Sequence, residues 1–453
     1  MVYVLVMDVS GLFELYLDVA PAELFRSLQR ELKWKVRNGI YSARLVLWMM
    51  IDQRLQARGT LASCVLRLVQ GRFDRLLSRC KRVESGHIAA STGGYCQARQ
   101  RLPKLLVSRT MEKLIEALRS RLLDGREQLP QRAYVLDGSS LQLEHEPELA
   151  EAFPPGSGGR GVSHWPLLRV VVLHDLETGL AERPWWGPLN GPQAVSEQAL
   201  AEHALQQLPA GRVIVADRNF GIFSIAWSAQ QAGHDVVVRL TKVRAHALHG
   251  GPISGPCDVE VCWRASRWDG KHKGKDRRSW PADASVSGRL IAWRVGRGKH
   301  QQWLYLFTTL SQPAEEIVAL YGRRWTIETD LRSLKRTVRL QRIAVHSEQM
   351  LEKELLVAVM AYNLVRALMA LAARQAGISP RELSFTNACH AVLEGYPKVL
   401  AARTARQQQI ELQRLVELVS RCRLPRRSKH RAYPREIWSQ GYHFPFRHAE
   451  KTK

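Results

Sequence analysis

The sequence lacks the features that mark secreted or membrane-spanning chains. Its 453 residues include only seven cysteines, an odd number with no C-x-x-C pair, which argues against a disulfide-stapled secreted fold. It has no run of 18 or more apolar residues, and its first stretch is interrupted by Asp8, Glu14 and Asp18 without a basic leader. Neither a membrane span nor a signal peptide is therefore predicted, and we expect a soluble, cytoplasmic protein.

Acidic residues are scarce relative to basic ones. The chain has 42 Asp and Glu against 67 Lys and Arg, a net charge of +25 that is spread along its whole length. A cationic surface of this kind binds phosphates by releasing their condensed counterions, so the charge favours nucleic acid as the partner. A ribosome-associated protein or a binder of anionic membranes stays open at this point, although no basic amphipathic helix with an aromatic face is apparent.

The length and the change of pattern along the chain predict several packed units and no internal repeat. Residues 1–125 show apolar residues at three- and four-residue spacings, which predicts a helical N-terminal domain. Within it, the block STGGYCQARQRLP combines a Ser/Thr/Gly start with Gln97, Arg99 and Arg101 on one short helix. We predict that these three side chains contact DNA; the alternative is a solvated helix face.

Strand and helix patterns alternate over residues 126–345, which predicts an α/β fold. A segment at about 241–310 that contains Gly, Lys and Trp is predicted to be a β-rich insertion into this unit. Residues 346–423 are predicted to be helical, with a long apolar helix that is either core or a contact between subunits. Residues 424–453 form a basic tail that we expect to be an extended arm.

Two aspartates stand at corresponding points of two predicted strands. Asp137 follows an apolar stretch and precedes Gly138, and Asp217 repeats that arrangement after RVIVA. Carboxylates at the ends of neighbouring strands of an α/β sheet converge where such sheets bind ligands, and their hard oxygens suit Mg²⁺ or Mn²⁺. We therefore expect Asp137 at a strand terminus beside a tight turn, and Asp217 next to it; for either one alone, a turn or helix-cap role is the alternative.

A third group of polar residues falls on one predicted helix. At the rotation of an ideal helix, Tyr321, Arg324, Glu328 and Lys335 lie within about 60° of one another, and Arg332 borders that stripe. A carboxylate flanked by Tyr, Arg and Lys could bind a metal ion and hold the phosphates that reach it. A surface helix with ion pairs four residues apart is the alternative.

This helix resembles the Y-(2)-R-(3)-E-(6)-K signature of DDE transposases of the insertion-sequence-four type. Tyr321, Arg324, Glu328 and Lys335 stand at every required spacing, and LDGSSL, ADRNFG and STGGYCQARQRLP look like the family's two aspartate blocks and its N-terminal block. The resemblance covers roughly residues 20–435. It implies an RNase H-like catalytic core with a β-rich insertion and helical terminal regions.

The resemblance also implies a cut-and-paste reaction on double-stranded DNA. Asp137, Asp217 and Glu328 would hold two Mg²⁺ ions, with Mn²⁺ as a substitute, for hydrolysis at the element's terminal inverted repeats and strand transfer into target DNA. Attack of the freed 3′-hydroxyl on the other strand would give a hairpin. The implied partners are those repeats, target DNA and a second copy of the chain in a homodimer, and the implied setting is the bacterial nucleoid, without a membrane.

Further DNA contacts follow from the same resemblance. Tyr321, Arg324 and Lys335 would hold phosphates near the cut, and we predict contacts from Arg332 and Arg218 as well. Trp303 is the predicted tryptophan that stacks on a flipped base, with Trp293 as the second choice and a core position as the alternative.

Other chemistries fit the sequence less well. His246, His249, Cys257 and Cys262 match no strong zinc spacing, and Ser139 beside Asp137 lacks the G-x-S-x-G elbow of a serine nucleophile. Two readings without transposition stay open, namely a non-catalytic DNA-binding remnant and an RNase H-like nuclease that cuts without joining.

Overall fold

A mixed sheet with helices on both faces forms the centre of the protein. The structure is a computed structural model that describes residues 12–35, 39–56, 59–123, 132–158, 161–266, 280–296, 301–341 and 343–425. Most of the predicted basic tail, residues 426–453, lies outside this part of the chain.

The N-terminal region is helical, as its periodicity predicts. Its helices are α1 (Leu12–Val19), α2 (Ala22–Glu31), α3 (Ala43–Leu55), α4 (Leu61–Val69), α5 (Lys81–Glu84), α6 (Gly93–Arg101) and α7 (Lys104–Leu123). The Ser42 side chain caps α3 by accepting a hydrogen bond from the Leu45 amide, which satisfies one of the free donors at the helix start.

The described strands form one sheet. They are β1 (Arg132–Gln142), β2 (Pro155–Gly158), β3 (Gly161–Asp175), β4 (Trp185–Pro188), β5 (Arg212–Ala216), β6 (Asp235–Arg239), β7 (Cys257–Arg264), β8 (Ser285–Val295) and β9 (Gln302–Thr308). Their order is β2-β3-β1-β5-β6-β9-β8-β7, with β4 paired to β3. The pairs β1–β5 and β5–β6 are parallel, whereas β3 is antiparallel to β1.

The β-rich segment does not stand apart from this sheet. Its strand β9 pairs antiparallel with β6, so β7, β8 and β9 lengthen the central sheet at one edge. The segment also begins with a helix, α11 (Lys242–His249), which is capped by Thr241. The other helices of this region are α8 (Pro147–Ala152), α9 (Glu197–Gln207), α10 (Phe223–Gln231), α12 (Ala314–Gly322) and α13 (Thr326–Arg332).

The two faces of the sheet pack against different helices. Alternate residues of a strand point to opposite faces, and Leu136 joins a core with α9 and α10 whereas Val135 joins a core with α12 and α13. Every side chain near the end of β1 can therefore be assigned to the α9 face or to the α13 face.

The C-terminal region consists of α14 (Glu348–Gln375), α15 (Phe385–Ala401) and α16 (Ala405–Arg421). Helix α14 is buried along nearly its whole length and packs against α3, α7 and α16. It is long and apolar enough to cross a membrane, but its most apolar stretch is entirely buried within the protein, so this is weak evidence of a span. The prediction of a buried helix is confirmed, and within this chain the helix serves as core.

Candidate active site on two parallel strands

The strand register brings Asp137 and Asp217 side by side. Leu136 pairs with Ala216 at the end of the parallel β1–β5 ladder, and each aspartate is the next residue along its strand. Since Val135 and Val215 both face the α13 side, alternation directs the two aspartates toward that same face. Both are half-buried.

The strand around Asp137 differs from the prediction in one respect. Asp137 is not at a strand terminus, because β1 continues to Gln142 and Gly138 pairs with Val171 of β3 instead of making a tight turn. The parallel ladder with β5 ends one residue before Asp137, at Leu136. The prediction for Asp217 is confirmed, since β5 ends at Ala216 and a turn follows.

The environment of Asp137 favours its protonated form. Burial raises the pKa of this carboxyl to about 6, and the negative charges of Asp217 and Glu197 act in the same direction. The Gly138 amide, which donates to Asp137 Oδ1 at 2.8 Å, and the positive charge of Arg324 oppose that rise. Neighbouring carboxylates that repel each other are stabilised when a divalent cation binds between them.

The signature segment is not the single regular helix that we predicted. It consists of the end of α12, a 3-10 turn at Arg323–Trp325, helix α13 and a π turn at Ser333–Thr337. Because these turns rotate the chain by different amounts per residue, a constant 100° step does not describe the segment, and the one-stripe prediction is wrong. π turns often occur at functional sites.

Each signature residue has its own environment. Tyr321 and Arg324 are buried, with the guanidinium 5.8 Å from the Tyr321 ring centroid. Lys335, on the π turn, donates from Nζ to Ser139 Oγ at 2.8 Å and so reaches the same face of β1 as Asp137. Arg332 is exposed.

Glu328 stands apart from the two aspartates. It is exposed on α13, which packs against β1. In the part of the chain that the structure describes, no three His, Cys, Asp or Glu residues form a group that could hold a metal ion. The structure thus brings Asp137 and Asp217 together and leaves Glu328 outside the pair.

The buried part of the signature segment has unused hydrogen-bonding capacity. Arg324 Nε and the Tyr321 hydroxyl are buried without a hydrogen-bond partner among the described residues. Buried donors are normally satisfied, and an exception calls for an explanation. Anionic oxygens of a phosphodiester next to the aspartates would fit both donors.

Asp330, which the sequence reasoning missed, holds α13 to the rest of the protein. It is fully buried and forms ion pairs with Arg366 of α14 and with Arg381. Arg381 also donates to the backbone oxygens of Asp175 and Leu176 at the end of β3. No sequence signal marked Asp330, because its partners lie 36 and 51 residues away.

Of the three residues that we predicted to contact DNA from α6, one is not at the surface. Arg99 is buried and pairs with Glu354, which Arg54 also contacts, so it joins α6 to α14 and α3. The prediction of a DNA contact is corrected for Arg99, since its charge is neutralised inside the protein. Gln97 and Arg101 are exposed.

The two tryptophan candidates lie on opposite faces of the sheet. Trp303 of β9 packs partly on the α9 side, where its ring stacks near Tyr305 and lies under the Arg294 guanidinium at 4.9 Å. Trp293 of β8 packs partly on the α13 side, the face of the aspartates. Both are half-buried, whereas Trp325, next to Arg324, is 62% exposed. Arg218 is exposed in the turn after Asp217.

Comparison with known proteins finds matches over a large part of the chain. A family model described as a transposase DDE domain matches residues 128–364. The chain is 25% identical over 321 residues to the transposase InsG for insertion sequence element IS4 of Escherichia coli (strain K12), covering 68% of each protein. A cryo-EM structure of a piggyBac transposase synaptic complex with hairpin DNA is 12% identical, with a TM-score of 0.40 over 92% of this chain and 86% of that one. A score this low does not establish a shared fold.

Proposed function

The chain belongs to the DDE transposase family, as its insertion-sequence-four-type motifs predict, and we propose that Asp137, Asp217 and Glu328 form its catalytic centre. Members of this family use divalent metal ions to cut DNA strands and join them. The observation that carries the proposal is the register of β1 and β5, which holds two of the three acidic residues side by side.

The donor set fits Mg²⁺, with Mn²⁺ as a substitute. Hard carboxylate oxygens are the ligands these ions prefer, and the pKa of Asp137 is raised by its burial and, to a smaller extent, by the negative charges of Asp217 and Glu197. Two bound ions would activate the attacking oxygen and stabilise the leaving oxygen of a phosphodiester. Glu328 is proposed as the third ligand, brought to the aspartates by a shift of its exposed side chain or of α13 when cation and DNA bind.

The surrounding side chains would position the DNA strand. Arg324 and Tyr321 would donate to phosphate oxygens beside the aspartates, a role supported by their unpartnered buried donors. Lys335 would contact the same strand from the π turn, with Ser139 directing its ammonium group. Arg332 and Arg218, both exposed near this face, are proposed as further phosphate contacts.

The remaining assignments are part of the same proposal. An RNase H-like core is supported by the strand order β4-β3-β1-β5-β6, in which β3 is antiparallel to both of its neighbours, β4 and β1, whereas β1, β5 and β6 are parallel. We propose residues 1–125 as the domain that binds the terminal inverted repeats, with Gln97 and Arg101 on its surface. Trp303 is proposed to stack on a flipped base, and two copies of the chain are proposed to hold the two ends.

Cleavage of a labelled duplex from the DNA that flanks the coding sequence tests the catalytic centre. Wild type should cut with Mg²⁺ and not with Ca²⁺, whereas Glu328→Gln should bind the duplex and fail to cut. A Glu328→Gln protein that cuts as fast as wild type would remove Glu328 from the centre.

A joining assay separates this function from the nuclease alternative. A pre-cut end with a free 3′-hydroxyl, incubated with a supercoiled plasmid and Mg²⁺, should be inserted into the plasmid. Cutting without insertion would favour a nuclease, and binding without either reaction would favour a DNA-binding remnant.

A further inference from the structure

Glu197, at the start of α9, lies on the opposite side of the sheet from the aspartate pair. The Ser196 side chain caps this helix by accepting a hydrogen bond from the Ala199 amide at 3.0 Å, which fixes the position of its first turn. A Cβ added to Gly138 would lie 2.6 Å from the Glu197 side-chain Cδ. The carboxylate therefore fills the space under Gly138, next to Asp137, that any other residue would occupy.

The same carboxylate reaches the turn that carries Asp217. Asn219 donates from Nδ2 to Glu197 Oε2 at 2.6 Å, and its backbone amide donates to Asp217 Oδ1 at 2.8 Å. Gln198, the next residue of α9, donates to the backbone oxygen and the Oδ1 atom of the same asparagine at 3.1 and 3.0 Å. The first turn of α9 thus holds Asn219 from two sides, and Asn219 holds Asp217.

We propose that Glu197 is a positioning residue of the catalytic centre, which acts through Asn219 on Asp217 and through Gly138 on the strand of Asp137. It is not a metal ligand in this arrangement, because it lies on the α9 face whereas the aspartates point to the α13 face. Polar partners behind metal ligands fix the orientation of those ligands. This inference rests on the proposed function of Asp137 and Asp217.

The test measures cleavage of the flanking-DNA duplex against Mn²⁺ and Mg²⁺ concentration. Glu197→Ala and Asn219→Ala should each raise the half-maximal cation concentration, or lower the saturated rate, by about tenfold to a hundredfold. Glu197→Gln should recover most of the activity, because its amide oxygen can still accept from Asn219. The double variant should be no worse than Glu197→Ala alone, since both changes remove the link between Glu197 and Asn219.

Controls separate positioning from folding. Gln206→Ala, an exposed change on the same helix, should behave as wild type, and all variants should match it in melting temperature and in cation-free DNA binding. Gly138→Ala, which forces the Glu197 carboxylate to move without removing its charge, should reproduce the loss in cation response. A loss confined to folding or DNA binding would overturn the proposal.

Failure of the proposal can be distinguished from failure of the proposed function. Asp217→Asn is included in the same assay. If that variant is inactive while Glu197→Ala responds to cation as wild type does, only the positioning role is wrong. Additive losses in the double variant, or no rescue by glutamine, would also overturn it. If Asp217→Asn cuts normally, the catalytic centre itself is misassigned.

Discussion

The aspartate pair and the signature segment reach the same face of the sheet by different means. The pair is held by backbone pairing of β1 and β5, which leaves little freedom in the relative position of Asp137 and Asp217. The segment that carries Glu328 is a succession of short helical turns held by side chains, namely by the buried Ile327 and Leu331 and by the ion pairs of Asp330. Two of the three proposed ligands are thus built into the sheet, whereas the position of the third, Glu328, depends on how α13 packs against it.

This difference explains why the three acidic residues do not form one group here. Backbone hydrogen bonds set strand positions without DNA or metal. Among the residues that the structure describes, none forms a hydrogen bond or ion pair that holds the exposed Glu328 carboxylate toward the aspartates. We expect changes to the pair to abolish chemistry with little effect on folding. Changes to Asp330, which forms the ion pairs that hold α13, should mainly lower the free energy of unfolding.

The largest effect is expected from Asp217→Asn. Removing one charged ligand should reduce cleavage by about 1000-fold or more, since a bound metal supplies several kcal/mol of transition-state stabilisation and each tenfold costs about 1.4 kcal/mol. Single-turnover cleavage rates measure this, with Asp283→Asn, an exposed change, as control. A loss below tenfold would contradict the view that the strand pair carries the chemistry.

Asp330→Asn should instead act on stability. It leaves Arg366 and Arg381 with an uncompensated buried charge, which costs about 3–5 kcal/mol when one partner of a buried pair is removed. Denaturant unfolding measures this. Glu177→Gln removes the more exposed ion pair with Arg323 and should cost about 1 kcal/mol or less; equal losses in the two variants would show that α13 is not held by Asp330.

Cation binding should depend on pH through Asp137. Its pKa is raised to about 6, so the carboxyl becomes protonated as the pH falls through 6 and must lose that proton to bind a cation. Mn²⁺ affinity, measured by calorimetry without DNA, should be nearly constant above pH 7 and should fall about tenfold per pH unit below 6. The fall should be missing in Asp137→Asn. A steep fall that persists in this variant would assign the proton to another group.

The smallest effect is expected from Ser139→Ala. Loss of the hydrogen bond from Lys335 should cost about 0.5–1.5 kcal/mol of unfolding free energy and slow cleavage by less than about tenfold, because lysine can still reach phosphate. Ser140→Ala, exposed on the other face of β1, is the matched control and should change neither quantity. Equal effects from the two substitutions would mean that Ser139 does not position the Lys335 side chain.

Individual strands and helices could be predicted from the sequence, whereas contacts between distant parts of the chain could not. Strands β1, β5 and β6 and helices α3, α7, α9 and α10 follow from periodicity, because each buries one face against its neighbours. The joining of the β-rich segment to the main sheet was not predictable, since the pairing of β9 with β6 is a contact between strands distant in the chain. The burial of Arg99 escaped prediction for the same reason, as Glu354 lies 255 residues away.

What the sequence determined by itself is the chemistry: two aspartates after apolar strands, a Y-R-E-K spacing, a basic surface and the family to which they point. The tertiary structure alone decided the geometry. It placed Asp137 within a strand and not at its end, and it divided the signature segment into turns of different helical type. It also brought Glu197 and Asn219 next to the aspartates and buried Asp330 against Arg366 and Arg381. The spacing of residues along the chain indicates which side chains could take part in the site. Whether those side chains come close together depends on strand register and on buried ion pairs between residues that are distant in sequence.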